Sequence, residues 1–575
     1  MVPEETVTEA GLDSLLSWAR LLTGGVSILW ILASARVRRA EWILAAVVSW
    51  CVYLWAISNL PLGRMYAVGV GHDRLMNLAL CTPVAAGSPF YETYQVGQLN
   101  FEPFWSLFVA AISGWSADRV LLLYPVLALL VVVGFAVSFY VSPRALSNCE
   151  EGHWSGWEKV FAIYFALMFS TGPADHLEMY RSVWNVSFLL KPNHNLGLIL
   201  LPPLLATLSG VPSWSRRLGA ALLLHLIGWV FVIFWAYVVL GLLFYVALSR
   251  RHGKGRTAAV DVATVLGINL VLLSPYLFIL LTRYSFLLHG PRLDLASVLD
   301  QAMTLGLGQG FVFLLALLGG KTLYSRADDL SRLWLSLALG AVSAWVGYMG
   351  LALTIGATET DEIYYFVRVM VGVMAGIGAW NVAHRTGELL AVPKDLRPAA
   401  LLLVSFPLAL PAWWDPVQMD RYFAGSRAPL PDSLVKTMSF IREGTEPEAA
   451  FLAVGEDARF VAGLGGRRVL YDGYLTPPPN IAERSRLQWA VLVEGDRAAA
   501  RALRAQYGVR YVLISDRLMA DYPTAQLRPF AARPGWRKVF PAGSIPDAEL
   551  EVFELEATAS SESAGAGIPA GRKGG

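Results

Sequence analysis

The stretch LGAALLLHLIGWVFVIFWAYVVLGLLFYVALS, residues 218–249, decides how the fold is read, because it holds 32 residues without a formal charge. A helix needs about 20 mostly apolar residues to cross a bilayer, so this stretch is long for one crossing and short for two. Arg216 precedes it and Arg250 follows it. Because Lys and Arg collect on the cytoplasmic side of short loops, both of its ends are expected on that side. We therefore predict a hairpin of two short helices that turns near Trp235.

Similar apolar runs follow one another through the first 414 residues. Since no backbone polar group can stay unpaired in lipid, each run is predicted to be a helix. Together with the hairpin they predict about 12 spans, with both termini outside. The runs are 12–34, 42–60, 120–142, 160–174, 196–213, 262–282, 301–320, 333–355, 364–383 and 398–414.

The charges between these runs predict the orientation. The loops assigned to the cytoplasmic side hold 17 Lys or Arg in 66 residues, and those assigned to the outer side hold 7 in 106. This difference has the sign that the positive-inside rule requires. Reading residues 218–249 as one tilted helix would invert the orientation of everything before or after it. The predicted outer loops are 61–119, 175–195, 283–300 and 356–363.

The composition excludes several classes of protein. The chain is 55% apolar and 16% charged, against roughly 45–50% and 25% in a soluble protein, which predicts an integral protein of the plasma or inner membrane. The net charge of +2, with no basic stripe, indicates no nucleic-acid partner. The three cysteines are far apart, so they indicate neither a disulfide framework nor a zinc site. Acidic residues at the start argue against a secretory peptide.

After Trp414 the long apolar runs stop and strand-like and helix-like stretches alternate. We predict three parts: a polytopic transmembrane domain over 1–414, a soluble extracytoplasmic α/β domain over 415–557 and a disordered tail over 558–575. The predicted strands are 449–454, 468–471, 511–515 and 551–556, and the predicted helices are 433–442, 458–464 and 496–507.

The sequence GLGG at 463–466 resembles a phosphate-binding loop only superficially. Such a loop lies between a strand and the N-terminus of a helix, whereas these glycines follow a predicted helix and precede a predicted strand. We therefore interpret them as a turn that ends the helix.

The first outer loop carries the most specific pattern. It reads GHDR at 71–74, GSPFYE at 87–92 and FEPFW at 101–105, and then runs into an apolar helix. This loop has an acid about a dozen residues after a membrane helix, then an amphipathic stretch, a Gly-x-Pro-Tyr-like turn and a proline at the entry to the next apolar helix. In these features it resembles the first outer loop of the GT-C superfamily of glycosyltransferases. Beyond this loop, the resemblance extends to the plan of many spans followed by an outer α/β domain.

The resemblance implies a GT-C-like fold and a catalytic role for Asp73, as the base or beside a metal, together with its neighbour His72. A solvated acid paired with Arg74 is the structural alternative. The family often has paired acids where this chain has His72 and Asp73, and two prolines where it has Glu102 and Pro103. These departures leave the donor and the need for a divalent cation open, so no cofactor is assigned.

The second outer loop supplies candidates for the phosphate end of a donor. Asp175 and His176 lie near its start, and Lys191 and His194 lie near its end, directly before an apolar helix. Cationic side chains at the depth of the lipid headgroups would hold a departing phosphate. The alternatives are a solvated turn for Asp175 and His176, a snorkelling anchor for Lys191 and helix capping for His194.

Three further residues complete the predicted binding set. Glu92 and Glu102 lie on the first outer loop, and Arg368 lies one turn inside the span that follows the acidic fourth loop. A charge within a membrane span is rare unless it has a function, which favours Arg368 over the solvated acids of 359–362.

The resemblance implies a hexosyl- or pentosyltransferase. It would move a sugar, with inversion, from a polyprenyl-phosphate donor to a glycan, lipid or protein acceptor on the extracytoplasmic face, in contact with membrane lipids. Two alternatives stay open: a multi-span transporter or flippase of envelope lipids, and a non-catalytic relative that assembles envelope enzymes. A transporter would place its polar groups on broken helices in mid-membrane.

Overall fold

The structure is a computed structural model. It describes residues 71–100, 102–146, 154–168, 192–283, 292–326, 328–354, 360–402, 404–405, 432–472, 478, 480–515, 518, 535–541 and 550–556, with the side chains of most residues in them. These residues belong to two compact units. The helical unit contains Phe101–Val109 and Leu122–Pro429 with Met1–Arg74, and the sheet unit contains Leu75–Asn100, Ala110–Leu121 and Leu430–Gly575.

The described chain is helical through the predicted transmembrane region, as its apolar runs require. The predicted outer loop 61–119 itself contains helices, α1 and α2. The helices of this region are α1 (Gly71–Ala85), α2 (Pro103–Ile112), α3 (Ala117–Leu146), α4 (Gly156–Met168), α5 (Pro192–Ser209), α6 (Trp214–Val230), α7 (Val232–Arg251), α8 (Gly255–Arg283), α9 (Leu295–Ser325), α10 (Asp329–Thr354) and α11 (Thr360–Leu389).

Residues 218–249 fold as the predicted hairpin, formed by α6 and α7. Its turn is at Phe231, which is extended with φ −159° and ψ 110°, and not near Trp235. The Phe231 ring stacks on the ring of His194 from α5, at 4.0 Å between centroids. This contact joins residues distant in sequence, so the apolar pattern of the hairpin alone does not indicate the turn.

Polar contacts with α8 establish that α6 and α7 run in opposite directions. Arg217 at the start of α6 donates to Asp261 near the start of α8, at 2.7 Å. Since α8 begins just after α7 ends, the start of α6 lies beside the end of α7. Farther along, Asn269 accepts from Trp235 of α7 at 2.7 Å and donates to the Ala221 carbonyl of α6 at 3.5 Å.

The basic segments of the helical unit lie at one end of the bundle. Lys254, after α7, pairs with Asp329 at the start of α10 at 3.2 Å. Arg326, after α9, pairs with Glu158 of α4. The turn at Phe231 is at the opposite end. The positive-inside rule predicts that the end with the basic segments is cytoplasmic.

Four described helices are long and apolar enough to cross a membrane. Shorter apolar helices accompany them, and the runs 12–34 and 42–60 lie outside the described residues, so the total of about 12 spans stays a prediction. Helix α9 is broken at Gly310, which has φ 45° and ψ −123°. The four candidate spans are Val232–Arg251, Gly255–Leu280, Asp329–Thr354 and Phe366–Leu389.

The sheet unit contains a five-stranded sheet in the order β2-β1-β3-β5-β4. Strands β1, β2 and β3 are parallel, and β5 pairs antiparallel with β3 and β4. The four predicted strands are present. The structure also contains β4 and α14, which the sequence analysis did not predict. The elements are α12 (Asp432–Gly444), β1 (Ala450–Leu452), α13 (Gly455–Gly463), β2 (Arg468–Val469), α14 (Ile481–Trp489), α15 (Arg497–Tyr507), β3 (Val509–Ser515), β4 (Trp536–Phe540) and β5 (Leu550–Leu555).

A segment of the first outer loop extends the edge of this sheet at β2. The Val469 N–H donates to the Tyr94 carbonyl at 2.8 Å, and the Val96 N–H donates to the Val469 carbonyl at 3.0 Å. Residues 75–100 therefore fold with the C-terminal sheet, although the sequence-based division assigns the whole loop to the transmembrane domain.

The glycines at 463–466 form the predicted turn between α13 and β2. Gly466 has φ +65°, a left-handed conformation that favours glycine. Arg467 is buried and donates to the carbonyls of Arg442 and Thr445, both at 2.7 Å. The Arg467 side chain therefore stabilises the turn by hydrogen bonds to backbone carbonyls.

Candidate functional site

The helical unit holds a buried carboxylate between the starts of two helices. Glu102 lies directly before α2, and its side chain is 0% exposed. The amide of Asn193 donates to both carboxylate oxygens of Glu102, at 2.9 and 2.8 Å, and Nε2 of His194 lies 2.8 Å from Oε1. These three residues, the Glu102 cluster, join the first and second predicted outer loops.

Local sequence places these side chains at helix N-termini. Pro103 and Pro192 are the first residues of α2 and α5, where the missing N–H of proline costs no hydrogen bond. Asn193 and His194 therefore lie in the first turn of α5, and Glu102 lies just before α2. The positive ends of the two helix dipoles stabilise a carboxylate in this position.

Aromatic rings hold His194 in one orientation. Its ring stacks on Phe231 with an interplanar angle of 14° and meets Phe234 at 6.2 Å between centroids. The residue is 4% exposed. The imidazole ring is therefore fixed by packing on its face and by Glu102 at Nε2.

The Glu102 cluster lies at the end of the bundle opposite the basic segments, because His194 packs on the turn between α6 and α7. Arg368 of α11, 5% exposed, belongs to the same region of the helical unit. Two residues before it, Phe366 packs on Phe234 and Tyr237, with ring centroids 4.7 and 5.2 Å apart. The structure thus brings Glu102 and His194 into contact and connects the segment carrying Arg368 to them through aromatic packing.

The remaining predicted residues are not joined to this cluster by described contacts. His72 and Asp73 lie in the first turn of α1, and their side chains lie outside the described part of the structure. Asp175, His176 and Lys191 also lie outside the described residues. The catalytic and phosphate-binding roles of these five residues stay predictions.

Glu92 belongs to the sheet unit, where it pairs with Arg468 at 2.7 Å. Both side chains are half-buried, at 23% and 18% exposure. This ion pair joins the first outer loop to β2 and gives Glu92 a structural contact beside its predicted role in substrate binding.

A second buried polar group in the sheet unit surrounds Asp472, which follows β2. Its carboxylate accepts hydrogen bonds from the hydroxyl of Tyr94 and, at 2.9 Å, from the amide of Gln95. Burial, followed by the negative charge of Asp472, raises the pKa of Tyr94 well above its usual value. Tyr94 therefore stays protonated and works as a hydrogen-bond donor.

Sequence reasoning missed Asn193 and Asp472. Asn193 stands beside a predicted residue, and the proline before it was a signal that its amide lies in the first turn of a helix. Asp472 carries no such signal, because its hydrogen-bond partners Tyr94 and Gln95 are nearly 380 positions away along the chain. Among the residues that the structure describes, no group of three or more His, Cys, Asp or Glu side chains could hold a metal ion.

No protein-family model matches the chain, and no curated protein matches it. Among solved structures, the chain is similar to ArnT from Cupriavidus metallidurans bound to undecaprenyl phosphate. That comparison has a TM-score of 0.49 and 11% identity, and covers 89% of this chain and 98% of ArnT.

The chain is also similar to the oligosaccharyltransferase AglB from Archaeoglobus fulgidus in complex with an inhibitory peptide and a dolichol-phosphate. Here the TM-score is 0.44 and the identity 11%, over 85% of this chain and 72% of AglB.

Proposed function

We propose that the chain is a membrane glycosyltransferase of the GT-C type. It transfers a sugar from a polyprenyl-phosphate carrier to an acceptor on the extracytoplasmic face. The observation that carries the proposal is the Glu102 cluster: buried polar side chains from two predicted outer loops meet at the end of the helices opposite the basic segments. A buried ionisable group at this depth is costly, which favours a functional role over a merely structural one.

The proposed reaction is a single displacement with inversion at the anomeric carbon. Asp73 removes the proton of the acceptor hydroxyl or amide as that group attacks the sugar. The bond from the anomeric carbon to the phosphate oxygen breaks at the same time, and cationic side chains stabilise the departing phosphate. Lys191, His194 and Arg368 are the proposed residues for this end of the donor.

The geometry of the donor supports this arrangement. The polyprenyl chain stays in the bilayer, and its phosphate lies at the interface, where a water-borne acceptor meets it. A site at the outer end of a helical bundle is reached by both substrates without moving either one across the membrane. The proposal therefore needs only an interfacial site, which is where the positive-inside rule puts the Glu102 cluster.

The function is tested with the purified full chain in lipid nanodiscs. The protein is incubated with a panel of polyprenyl-phosphate sugars and mixed glycan, lipid and peptide acceptors, and released polyprenyl phosphate and glycosylated acceptor are measured. Asp73→Asn should lower the transfer rate by a factor of about 10²–10⁴, because it removes the base and keeps the shape. Insertion into the membrane should be unchanged.

Asp118→Asn is the matched control, because it makes the same change at an acid whose side chain is 66% exposed in the sheet unit. It should transfer sugar at the wild-type rate. Full activity of Asp73→Asn would exclude the assigned base, and wild-type protein that turns over no donor in the panel would contradict the proposed function.

A transporter of lipid-linked sugars is the second candidate, favoured by the break of α9 at Gly310. A companion assay in sealed vesicles, run beside the nanodisc assay, separates the two functions. A transporter moves the intact donor between leaflets of sealed vesicles and releases no polyprenyl phosphate.

A further inference from the structure

The ends of α7 and α9 meet at the basic end of the helical unit. Arg251, the last residue of α7, donates from Nη1 to the hydroxyl oxygen of Tyr324, near the end of α9, at 3.1 Å. The ring of His252 meets the Tyr324 ring edge to face, at 6.4 Å between centroids. These contacts join two basic segments whose contacting residues are 73 positions apart.

The contact between Arg251 and Tyr324 leaves donors for a further ligand. The Tyr324 oxygen accepts from Arg251, so the hydrogen of its own O–H remains to be donated. A guanidinium carries five N–H bonds, and Arg251 uses one of them here. Within the part of the chain that the structure describes, neither side chain has another hydrogen-bond or ion-pair partner. A phenol and a guanidinium in contact therefore supply neighbouring donors for an anion.

Two more cations lie beside this pair. Lys321 lies one turn before Tyr324 on the same face of α9, and Arg250 directly precedes Arg251. Both side chains are exposed, and neither pairs with an acid among the described residues. Arg250, Arg251, Lys321 and Tyr324 form what we call the basic patch, which carries three positive charges.

The acids of the neighbouring helix starts already have partners. Asp261, near the start of α8, pairs with Arg217 at 2.6 Å. Asp329, at the start of α10, pairs with Lys254 at 3.2 Å and with Arg332. The positive charges of the basic patch are therefore available to an external anion.

Apolar surface leads along both helices to the basic patch. Leu317 of α9 lies one turn before Lys321, and Leu243 of α7 lies two turns before Arg250, so each leucine shares a helix face with a cation. Both leucines are exposed. On helices predicted to cross a bilayer, such leucines contact acyl chains, and the cations that follow them lie at the depth of the headgroups, where tyrosine is also enriched. An amphiphile matches this order of groups better than a free anion does.

We propose that the basic patch binds an anionic phospholipid of the inner leaflet. Its phosphate accepts hydrogen bonds from the Tyr324 hydroxyl and from Arg251, whose planar fork suits phosphate oxygens. Arg250 and Lys321 add charge, as basic clusters next to membrane helices do for anionic headgroups. The site is at the end of the bundle opposite the Glu102 cluster, so the inference does not depend on the proposed function.

The test uses the full chain purified in detergent. Phosphatidylglycerol is titrated in, and bound lipid is counted by native mass spectrometry. Phosphatidylcholine, which has no net charge, is the comparison lipid, and inorganic phosphate is the competitor. We expect phosphatidylglycerol to bind at least about tenfold more tightly than phosphatidylcholine, because the three cations favour a net negative headgroup.

Tyr324→Phe tests whether a built site or only net charge attracts the lipid. The variant loses one O–H and keeps every charge, and the Kd for phosphatidylglycerol should rise about three- to tenfold. Arg251→Gln removes a charged donor, so it should raise this Kd by about tenfold or more. Cations that served only the helix dipoles or the membrane orientation would leave lipid binding unchanged in Tyr324→Phe.

Two matched controls remove the same groups elsewhere. Arg385→Gln removes a charge from an exposed position near the end of α11. This position belongs to the basic end, because Trp380, five residues earlier, stacks on Trp157 at the start of α4. Tyr91→Phe removes an exposed hydroxyl from the sheet unit. Both controls should bind phosphatidylglycerol with the wild-type Kd.

Several results would overturn the inference. Equal losses of affinity in Arg251→Gln and Arg385→Gln would show diffuse attraction, and an unchanged Kd in Tyr324→Phe would exclude the hydroxyl as a ligand. Equal binding of the two lipids would exclude charge recognition, and displacement of the lipid by inorganic phosphate would make a free anion the occupant. If Arg251→Gln does not fold, Tyr324→Phe decides. The sugar-transfer assay tests the proposed function separately.

Discussion

At the scale of single residues, the two buried carboxylates Glu102 and Asp472 have different surroundings. Glu102 contacts a histidine whose second nitrogen has no partner in the described part of the chain. Asp472 accepts from Tyr94 and Gln95 and lies 4.0 Å from Arg459, so its charge is compensated within the sheet unit. This difference supports the proposed inclusion of Glu102 in the functional site and a stabilising contact for Asp472.

Replacing Tyr94 by phenylalanine should therefore weaken the sheet unit locally. The substitution leaves a buried carboxylate short of one donor, which costs about 1–3 kcal/mol. Because the Tyr94 backbone pairs with Val469, amide hydrogen exchange in the peptide containing Val469 should become faster. Mass spectrometry of exchanged peptides measures the change.

Tyr91→Phe provides the comparison on the same loop, since Tyr91 is 53% exposed. Exchange in this variant should match that of the wild type. Equal exchange in the two phenylalanine variants would show that the Tyr94 hydrogen bond does not hold the loop segment to β2.

At the scale of helices, glycines set how closely the helices of the helical unit approach. A Cβ atom on Gly340 of α10 would lie 2.4 Å from the backbone nitrogen of Gly241 in α7. One on Gly376 of α11 would lie 2.2 Å from the Phe161 carbonyl oxygen in α4. Between membrane helices such contacts replace the hydrophobic driving force available in water.

Gly340→Ala should consequently destabilise the helical unit. The methyl group cannot fit without separating α7 from α10, and overpacking of this kind costs about 1–3 kcal/mol. We expect a lower thermal unfolding temperature in detergent and less monodisperse protein on gel filtration.

The same helix offers the control, because a Cβ atom on Gly347 of α10 would have no neighbour within 4 Å. Gly347→Ala should keep or slightly raise the unfolding temperature, since alanine favours helix. If both alanine variants unfold at the wild-type temperature, the close approach of α7 and α10 is not present in the protein.

At the scale of the whole molecule, the orientation in the membrane is the decisive prediction. The described basic segments share one end of the helical unit, which the positive-inside rule assigns to the cytoplasm. Residues 75–100 of the first outer loop belong to the same compact unit as the C-terminal sheet, so they should face the same compartment.

Labelling of cysteines in intact cells tests this orientation. A membrane-impermeant thiol reagent should reach Tyr91→Cys and Glu443→Cys, both at exposed positions of the sheet unit. It should reach His252→Cys, at the basic end, only after the cells are permeabilised. The unmodified chain, with its native cysteines, gives the background labelling. The reverse pattern of labelling would put the proposed site on the cytoplasmic side and contradict the predicted orientation.

The sequence alone predicted much of the element structure. The hairpin over 218–249 follows from its length and from the arginines at both ends. Backbone polar groups in lipid must be paired, which requires helices, and the positive-inside rule puts both ends on the same side of the membrane. The turn at 463–466 and the four predicted strands follow from local patterns of the same kind. Strand β4 was not predicted, because its sequence shows no clear alternation of apolar residues. Its side chains are mostly half-buried.

Local patterns determined which segments of this chain are helices, which are strands and which ends carry positive charge, because these properties depend on neighbours within a few residues. Only the tertiary structure decided that Glu102 meets Asn193 and His194, that the hairpin turns at Phe231 and that Tyr94 reaches Asp472. Those contacts join residues far apart in the chain. They are stabilised by packing and burial, which arise only when distant segments come together, so no local stretch of sequence predicts them.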